Sequence, residues 1–329
     1  MQITKKDELL SFTGTKQDRH DDMFDALSMA FSAIRDESLK LESFTMTIYG
    51  EAGAGKTTLG NTAKNAIVFD FDEGHQRSKL SSDVFERVSF KEIATESKLR
   101  ALVSGYDTIV IDTAGALIES IKDYLLETKP RLEQQKLQMY GEIKSEFTSF
   151  HKFIRSLGIN IVFIMHSKET FEGEIRRVKP LTEGSSYDQI IAKSDMIGYL
   201  HKDAAGNTII DFNAADWKVG KNSAELPVYK IPHYSEMENY LQQIIDDTKK
   251  AFNENRISQA KAIDTIKATI RELQALNSAD EFNAFFEGLG SRGFGKGEKT
   301  QVWNALLNHA INSGLEFDST AKQFKGIAA

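Results

Sequence analysis

The chain of 329 residues contains no cysteine and only 4 prolines. Thiol catalysis, disulfides and cysteine-ligated zinc are therefore excluded. A reducing compartment fits this composition. Long apolar runs are also missing. The longest, Ile159 to Met165, has the length of a buried strand and not the roughly 18–20 residues of a membrane helix. The opening Met1-Gln-Ile-Thr-Lys-Lys6 has no apolar stretch after its charges, so no secretory signal is expected. Nor is there a basic excess. Against 41 Lys and Arg stand 48 Asp and Glu, a net charge of −7. That balance argues against broad attraction to nucleic acid and leaves room only for local basic loops. What remains is an ordinary soluble composition, 40% hydrophobic and 27% charged, long enough for one large or two modest domains.

Three textures divide the chain. Residues 1–43 read as a lead-in, with a helix expected over Met23–Ile34 from Met23, Leu27, Ala30 and Ile34 on one face. Residues 44–232 alternate short apolar runs with amphipathic stretches. Thr45–Tyr49, Ala66–Asp70, Thr108–Asp112 and Asn160–Met165 are continuous runs of the kind that parallel strands buried on both faces require. Before the last of these, Ile143, Phe147, Phe150, Ile154 and Leu157 mark a helix that packs on a sheet. Asn207–Phe212 and Leu226–Ile231 read as later, antiparallel strands. Residues 233–329 lack proline and read as helical. Ser235-Glu-Met-Glu238 has the capping-box pattern, and four amphipathic helices are expected. Their inward residues include Leu241, Ile244 and Ile245, then Ile263, Ile266 and Ile270, then Phe282, Phe285 and Phe286, then Trp303, Leu306 and Leu307. This is an α/β architecture followed by an all-helical region.

Gly50-Glu51-Ala52-Gly53-Ala54-Gly55-Lys56-Thr57, followed by Thr58, matches G-x-x-x-x-G-K-[ST] between an expected strand and helix. The glycines let successive N–H groups turn inward around a phosphate. The helix N-terminus adds its positive dipole end. Lys56 then reaches the β- and γ-phosphates of a nucleoside triphosphate, and the Thr57 hydroxyl binds Mg²⁺. Tyr106–Asp112 supplies the matching carboxylate: a branched apolar strand ends in Asp112, at the edge where open α/β sheets bind ligands. Asp112 is a second Mg²⁺ candidate. Thr113 follows it where many motor ATPases place Glu, so a water-activating carboxylate must come from elsewhere. Asp70, Asp72 and Glu73 end the second strand and offer one. The bland reading is an acidic strand end facing water.

The order of P-loop, acidic strand end, Asp112-Thr113 and Met165-His166-Ser167 resembles the RecA-type recombination ATPases. In particular it is similar to the compact phage ATPases grouped as Sak-type, RecA-core single-strand annealing proteins, also described as phage AAA-type nucleotide-binding proteins. The resemblance covers about Phe44 to Val228 and does not extend to the helical region. It implies a P-loop NTPase with a RecA-like, mainly parallel sheet, using ATP and Mg²⁺. It places the catalytic carboxylate on Asp72 or Glu73 and a γ-phosphate sensor on His166. It also implies single-stranded DNA bound by two loops, Thr113 to about Tyr140 and Lys168 to about Asp188. The first carries Lys122, Lys129, Arg131 and Lys136; the second Lys168, Arg176, Arg177, Lys179, Phe171 and Tyr187 among several glutamates. Self-association into a ring or filament is implied, with Lys218 and Lys221 reaching a neighbouring subunit's γ-phosphate. A single-strand DNA-binding protein is a further implied partner, no membrane is involved, and the location is the bacterial host cytoplasm. A second basic candidate is the glycine-rich stretch Ser291–Lys299. Two other readings stand beside this one: a P-loop small-molecule kinase, and a nucleotide-gated, non-catalytic assembly or loading factor.

Overall fold

The computed structural model describes residues 40–327 apart from 75, 77, 79, 81, 82, 87, 182–185 and 237. The helix expected over Met23–Ile34 lies outside the described residues. The described residues fall into two compact units, residues 40–253 and residues 254–327.

In the first unit the elements run in the expected alternation. They are β1 (Thr45–Gly50), α1 (Lys56–Gly60), β2 (Ala66–Asp70), β3 (Asp83–Glu86), α2 (Phe90–Ile93), α3 (Glu96–Val103), β4 (Thr108–Asp112), α4 (Ala114–Thr128), α5 (Lys136–Ser156), β5 (Asn160–Glu172), β6 (Ile175–Pro180), α6 (Ser186–Lys193), β7 (Met196–Lys202), β8 (Thr208–Asp211), β9 (Lys221–Asn222) and β10 (Tyr229–Lys230). The sheet order is β10-β8-β7-β1-β5-β4-β2-β3. From β7 to β3 the pairings are parallel, whereas β8 and β10 add antiparallel. Strand β5 inserts between β1 and β4 and runs on past the expected end at Met165 to Glu172, so His166, midway along it and opposite Gly50, lies between the phosphate loop and Asp112.

Both faces of the sheet are covered, which is why its strands are nearly all apolar. Along β5, Ile161, Phe163 and Met165 join the core beneath α4 and α5, while Val162 and Ile164 join the opposite core with Leu59. Buried polar side chains of β1 find partners: Thr45 Oγ1 meets His151 Nε2 at 2.8 Å, and Thr47 Oγ1 meets Ser194 Oγ at 2.7 Å. Burial, with the nearby cations Lys193 and Arg155, pushes His151 down to about 4, so it sits there as a neutral hydrogen-bonding group.

The sequence reading did not anticipate β7, although it borders β1 directly. Its run Met196-Ile-Gly-Tyr-Leu200 is broken by Gly198. A Cβ there would meet Phe212 and Ile210 at 2.7–2.9 Å, so close packing of β7 under Phe212 excludes any side chain.

The boundary expected between 232 and 233 moves. Helix α7 (Tyr240–Gln274) is one continuous helix where two were expected. No Gly or Pro interrupts it. Its first turns bury Leu241, Ile244 and Ile245 in the core around Phe44 and Met46, so the first unit extends to Asn253. It begins at Tyr240, after a short 3-10 turn (Tyr234–Glu236), and not at the expected Ser235 box.

Residues 254–327 hold the rest of α7 together with α8 (Ala279–Leu289) and α9 (Lys296–Asn312). A capping box opens α8, with Ser278 as N-cap and Glu281 closing it. This unit is helical but not wholly so. It ends in an antiparallel hairpin, β11 (Leu315–Asp318) with β12 (Gln323–Gly326). Phe317 and Phe324 of that hairpin pack edge-on to Phe286 and join Phe282 and Trp303 in an aromatic core. The glycine-rich stretch is part connector and part helix: residues 291–295 join α8 to α9, and residues 296–299 open α9. Gly295 caps α9, and Arg292 ion-pairs with Glu272 while stacking over Phe285 at 4.6 Å.

Candidate functional site

The phosphate loop folds as its sequence demands, although its three glycines serve two purposes. Gly53 and Gly55 take positive φ, 77° and 91°, with nothing within 4 Å of a Cβ. They turn the loop. Gly50 ends β1 against β7, where a Cβ would stand 2.4 Å from the Leu200 carbonyl oxygen. Gly55 precedes α1 with no side-chain cap, which leaves first-turn N–H groups for a ligand, while the Ala54 N–H in the loop donates to the Glu51 carbonyl at 3.2 Å.

Lys56 is buried, 5% exposed, and its Nζ donates to the carbonyls of Gly50 at 3.0 Å and Glu51 at 2.7 Å. Burial lowers its pKa, and the charges of Asp112, Asp72 and Glu51 oppose that. Thr57 Oγ1 donates to Asp112 Oδ2 at 2.5 Å. The Asp112 carboxyl is pushed up to about 6. Burial is the main cause, the Thr57 hydrogen bond opposes it, Asp72 and Asp70 raise it further, and Lys56 lowers it.

These groups open into one cleft of about 610 Å³, lined by Ala52, Gly53, Ala54, Gly55, Lys56, Thr57 and Thr58 together with Asp72, Asp112, Thr113 and His166. Of the two carboxylates left open by the sequence, Asp72 lines the cleft. Its Oδ2 stands 3.9 Å from His166 Nε2. Glu73 is exposed in a left-handed turn, φ 56°, and is not among the lining residues. Asp70 shapes that turn: its buried Oδ1 accepts from the Gly74 N–H at 3.0 Å. Glu51 faces a second cleft beside Arg176, Tyr199 and Trp217.

The donor set fits a magnesium–nucleotide complex. Thr57 and Asp112 present two hard oxygens side by side in a cleft that the phosphate loop also lines. Among the described residues no group of three or more His, Asp or Glu is arranged to hold a metal alone. A cation here would take its remaining ligands from phosphate oxygens and water, the habit of Mg²⁺.

Other sequence candidates fall elsewhere. Lys218 is 6% exposed; its Nζ meets Asp211 Oδ2 at 2.6 Å and the Asn213 carbonyl at 2.7 Å. It is a buried ion-pair member and cannot extend to a neighbour as expected. Lys221 lies opposite Ile197, toward the sheet edge away from the phosphate loop, and donates to the Ser194 carbonyl at 2.7 Å. The first expected DNA loop, Thr113 to Tyr140, is mostly helical, formed by α4, a 3-10 turn and the start of α5. Its apolar face is buried, and Lys129 pairs with Glu142. The second is the β5–β6 hairpin, where Arg176 pairs with Glu169 and Phe171 is 69% exposed.

Two contributors escaped the sequence reading. Thr113 lines the cleft and caps α4, accepting from the Ala116 N–H at 3.3 Å; a Thr directly before a helix is its signal. The far wall, Thr208 and Ile231 to Tyr234, carries no motif and comes to the cleft only through β8 and β10.

The fold and site together define a P-loop NTPase domain. Residues 42–224 match the AAA domain family, and the chain belongs to that family. An SPbeta prophage-derived protein of Bacillus subtilis (strain 168), YorG, is 21% identical over 310 residues, covering 87% of this chain and 91% of that protein. A nucleotide, usually with Mg²⁺, is what such a family implies. Among the described residues no helix is long and apolar enough to cross a membrane.

Proposed function

We propose that this chain is an ATP-hydrolysing, RecA-like protein of phage DNA recombination or replication, of the Sak-type group, assembling as a ring or filament on single-stranded DNA. The observation that carries the hydrolytic part is the convergence of Lys56, Thr57, Asp72, Asp112 and His166 on one cleft. Magnesium would be held by Thr57 and Asp112 and would neutralise charge developing on the phosphates. Lys56 turns from its loop carbonyls toward the γ-phosphate. Asp72 orients and deprotonates the attacking water, and His166 donates to a γ-phosphate oxygen from the adjoining strand β5. The prophage relative supports the phage context.

For DNA, the hairpin offers exposed Phe171 with Lys168, Arg177 and Lys179, an aromatic and cations of the kind that hold single strands. A single-strand DNA-binding protein is a further partner in this reading, and the host cytoplasm its place. The test is phosphate release from ATP with and without single-stranded DNA, with assembly size measured in parallel. Stimulation by DNA together with growth in size supports the proposal. Transfer of phosphate to a small acceptor would replace it with a kinase, and tight binding with negligible turnover would replace it with a nucleotide-gated loading factor.

A further inference from the structure

The catalytic groups line only part of the cleft. The far wall is Thr208 with the segment Ile231-Pro232-His233-Tyr234. This segment is held at both ends. At its start, the Ile231 N–H donates to the Thr208 carbonyl at 2.8 Å, continuing the β10–β8 pairing. After it, the Leu241 N–H donates to Thr62 Oγ1 at 2.8 Å, just beyond α1, and the Tyr240 hydroxyl donates to the Lys230 carbonyl at 2.7 Å. The His233 and Tyr234 rings lie 4.1 Å apart between centroids. Ser235 Oγ and His233 Nδ1 are 2.8 Å apart, which orients the imidazole. Tyr234 is 41% exposed and lines this cleft as well as a neighbouring hollow beside Asn61 and Leu80. The volume of about 610 Å³ suits a whole nucleotide, within the usual range for ligand sites of about 300–1,000 Å³.

We infer that Ile231-Pro232-His233-Tyr234 is the base-binding wall of this cleft, taking the purine ring of a nucleoside triphosphate by stacking on His233 and Tyr234. The inference rests on the reading that the phosphate loop holds the triphosphate. An apolar, aromatic surface facing a polar, phosphate-ready one matches the two ends of such a molecule. Every base has a π-face, and stacking on an aromatic side chain contributes about 1–3 kcal/mol, or roughly 5- to 150-fold in affinity.

The test uses the full chain, titrated with magnesium ATP and with magnesium tripolyphosphate. His233→Ala/Tyr234→Ala should weaken ATP binding about 10-fold or more and leave tripolyphosphate affinity within about twofold. Tyr234→Phe should bind ATP as wild type does, because the ring and not the hydroxyl is used. Lys56→Ala should weaken both ligands. Wild-type ATP affinity in the double variant would overturn the base wall while leaving the phosphate loop standing. An equal loss of tripolyphosphate would also overturn it, since the segment would then serve the cleft's shape. A wild-type chain that binds neither ligand would overturn the phosphate-loop reading and this inference with it.

Discussion

Asp112→Asn should stabilise the protein while disabling the magnesium site proposed at Thr57 and Asp112. The Asp112 carboxyl is raised from 3.8 to about 6, chiefly by burial, with the favourable Thr57 and Lys56 contacts already counted. A raised carboxylate pKa means that the charged form costs folding free energy. That cost is absent below pH 3.8, where folded and unfolded chains are both protonated. It grows through the window to about 6 and is complete above it. About two pKa units correspond to about 3 kcal/mol. Asn keeps an oxygen for the Thr57 hydroxyl and removes the charge, so the variant should gain up to ~3 kcal/mol at pH 7.5, and clearly less at pH 5. The assay is denaturant unfolding in EDTA. A Trp303→Phe background leaves Trp217 as the single tryptophan, reporting on the unit of residues 40–253. Adding magnesium ATP should reverse the order, because wild type gains binding free energy that the variant lacks. A variant less stable than wild type in EDTA at pH 7.5 would refute the idea that Asp112 is held at a cost for metal binding.

Other expectations follow from placement. Asp72→Asn should lower ATP turnover by about 100-fold or more, whereas Glu73→Gln should stay within a few-fold, both read by phosphate release. A chain ending at Asn253 should fold and bind ATP. One ending at Tyr234 loses Leu241, Ile244 and Ile245, each about 2–5 kcal/mol of buried packing, and should not fold; circular dichroism and solubility decide. Lys218→Ala should cost about 2–4 kcal/mol in unfolding free energy by stranding Asp211. Lys221→Ala should leave ATP affinity nearly unchanged. If Lys221 acts between subunits, mixing it with Lys56→Ala protein should restore part of the turnover. No recovery despite co-assembly removes Lys221 from the mechanism.

Much of the site was legible because its chemistry is local in sequence. Gly53, Gly55, Lys56 and Thr57 sit in one loop, and Asp112 ends a run whose period and branching announce a buried strand. Asp72 and Glu73 could not be told apart by spacing. Their difference arises from a turn in which Glu73 takes positive φ and Asp70 accepts from Gly74. Lys218 looked like a surface cation because its partner Asp211 lies on another strand. The far wall of the cleft depends on sheet order, which pairs β10 with β8 and β8 with β7 through connections no local pattern encodes. The terminal hairpin was missed for a related reason. Leu315–Asp318 and Gln323–Gly326 are short and weakly apolar, and their strand character comes from Phe317 and Phe324 packing on Phe286.

The central claim is that Lys56 and its loop hold and hydrolyse ATP. The direct measurement is magnesium-dependent phosphate release by the full chain, wild type against Lys56→Ala, with folding checked by circular dichroism. The account predicts measurable turnover in wild type and a loss of about 100-fold or more in the variant, the scale of a charged contact to the transition state. Unchanged turnover in a folded Lys56→Ala protein would contradict it.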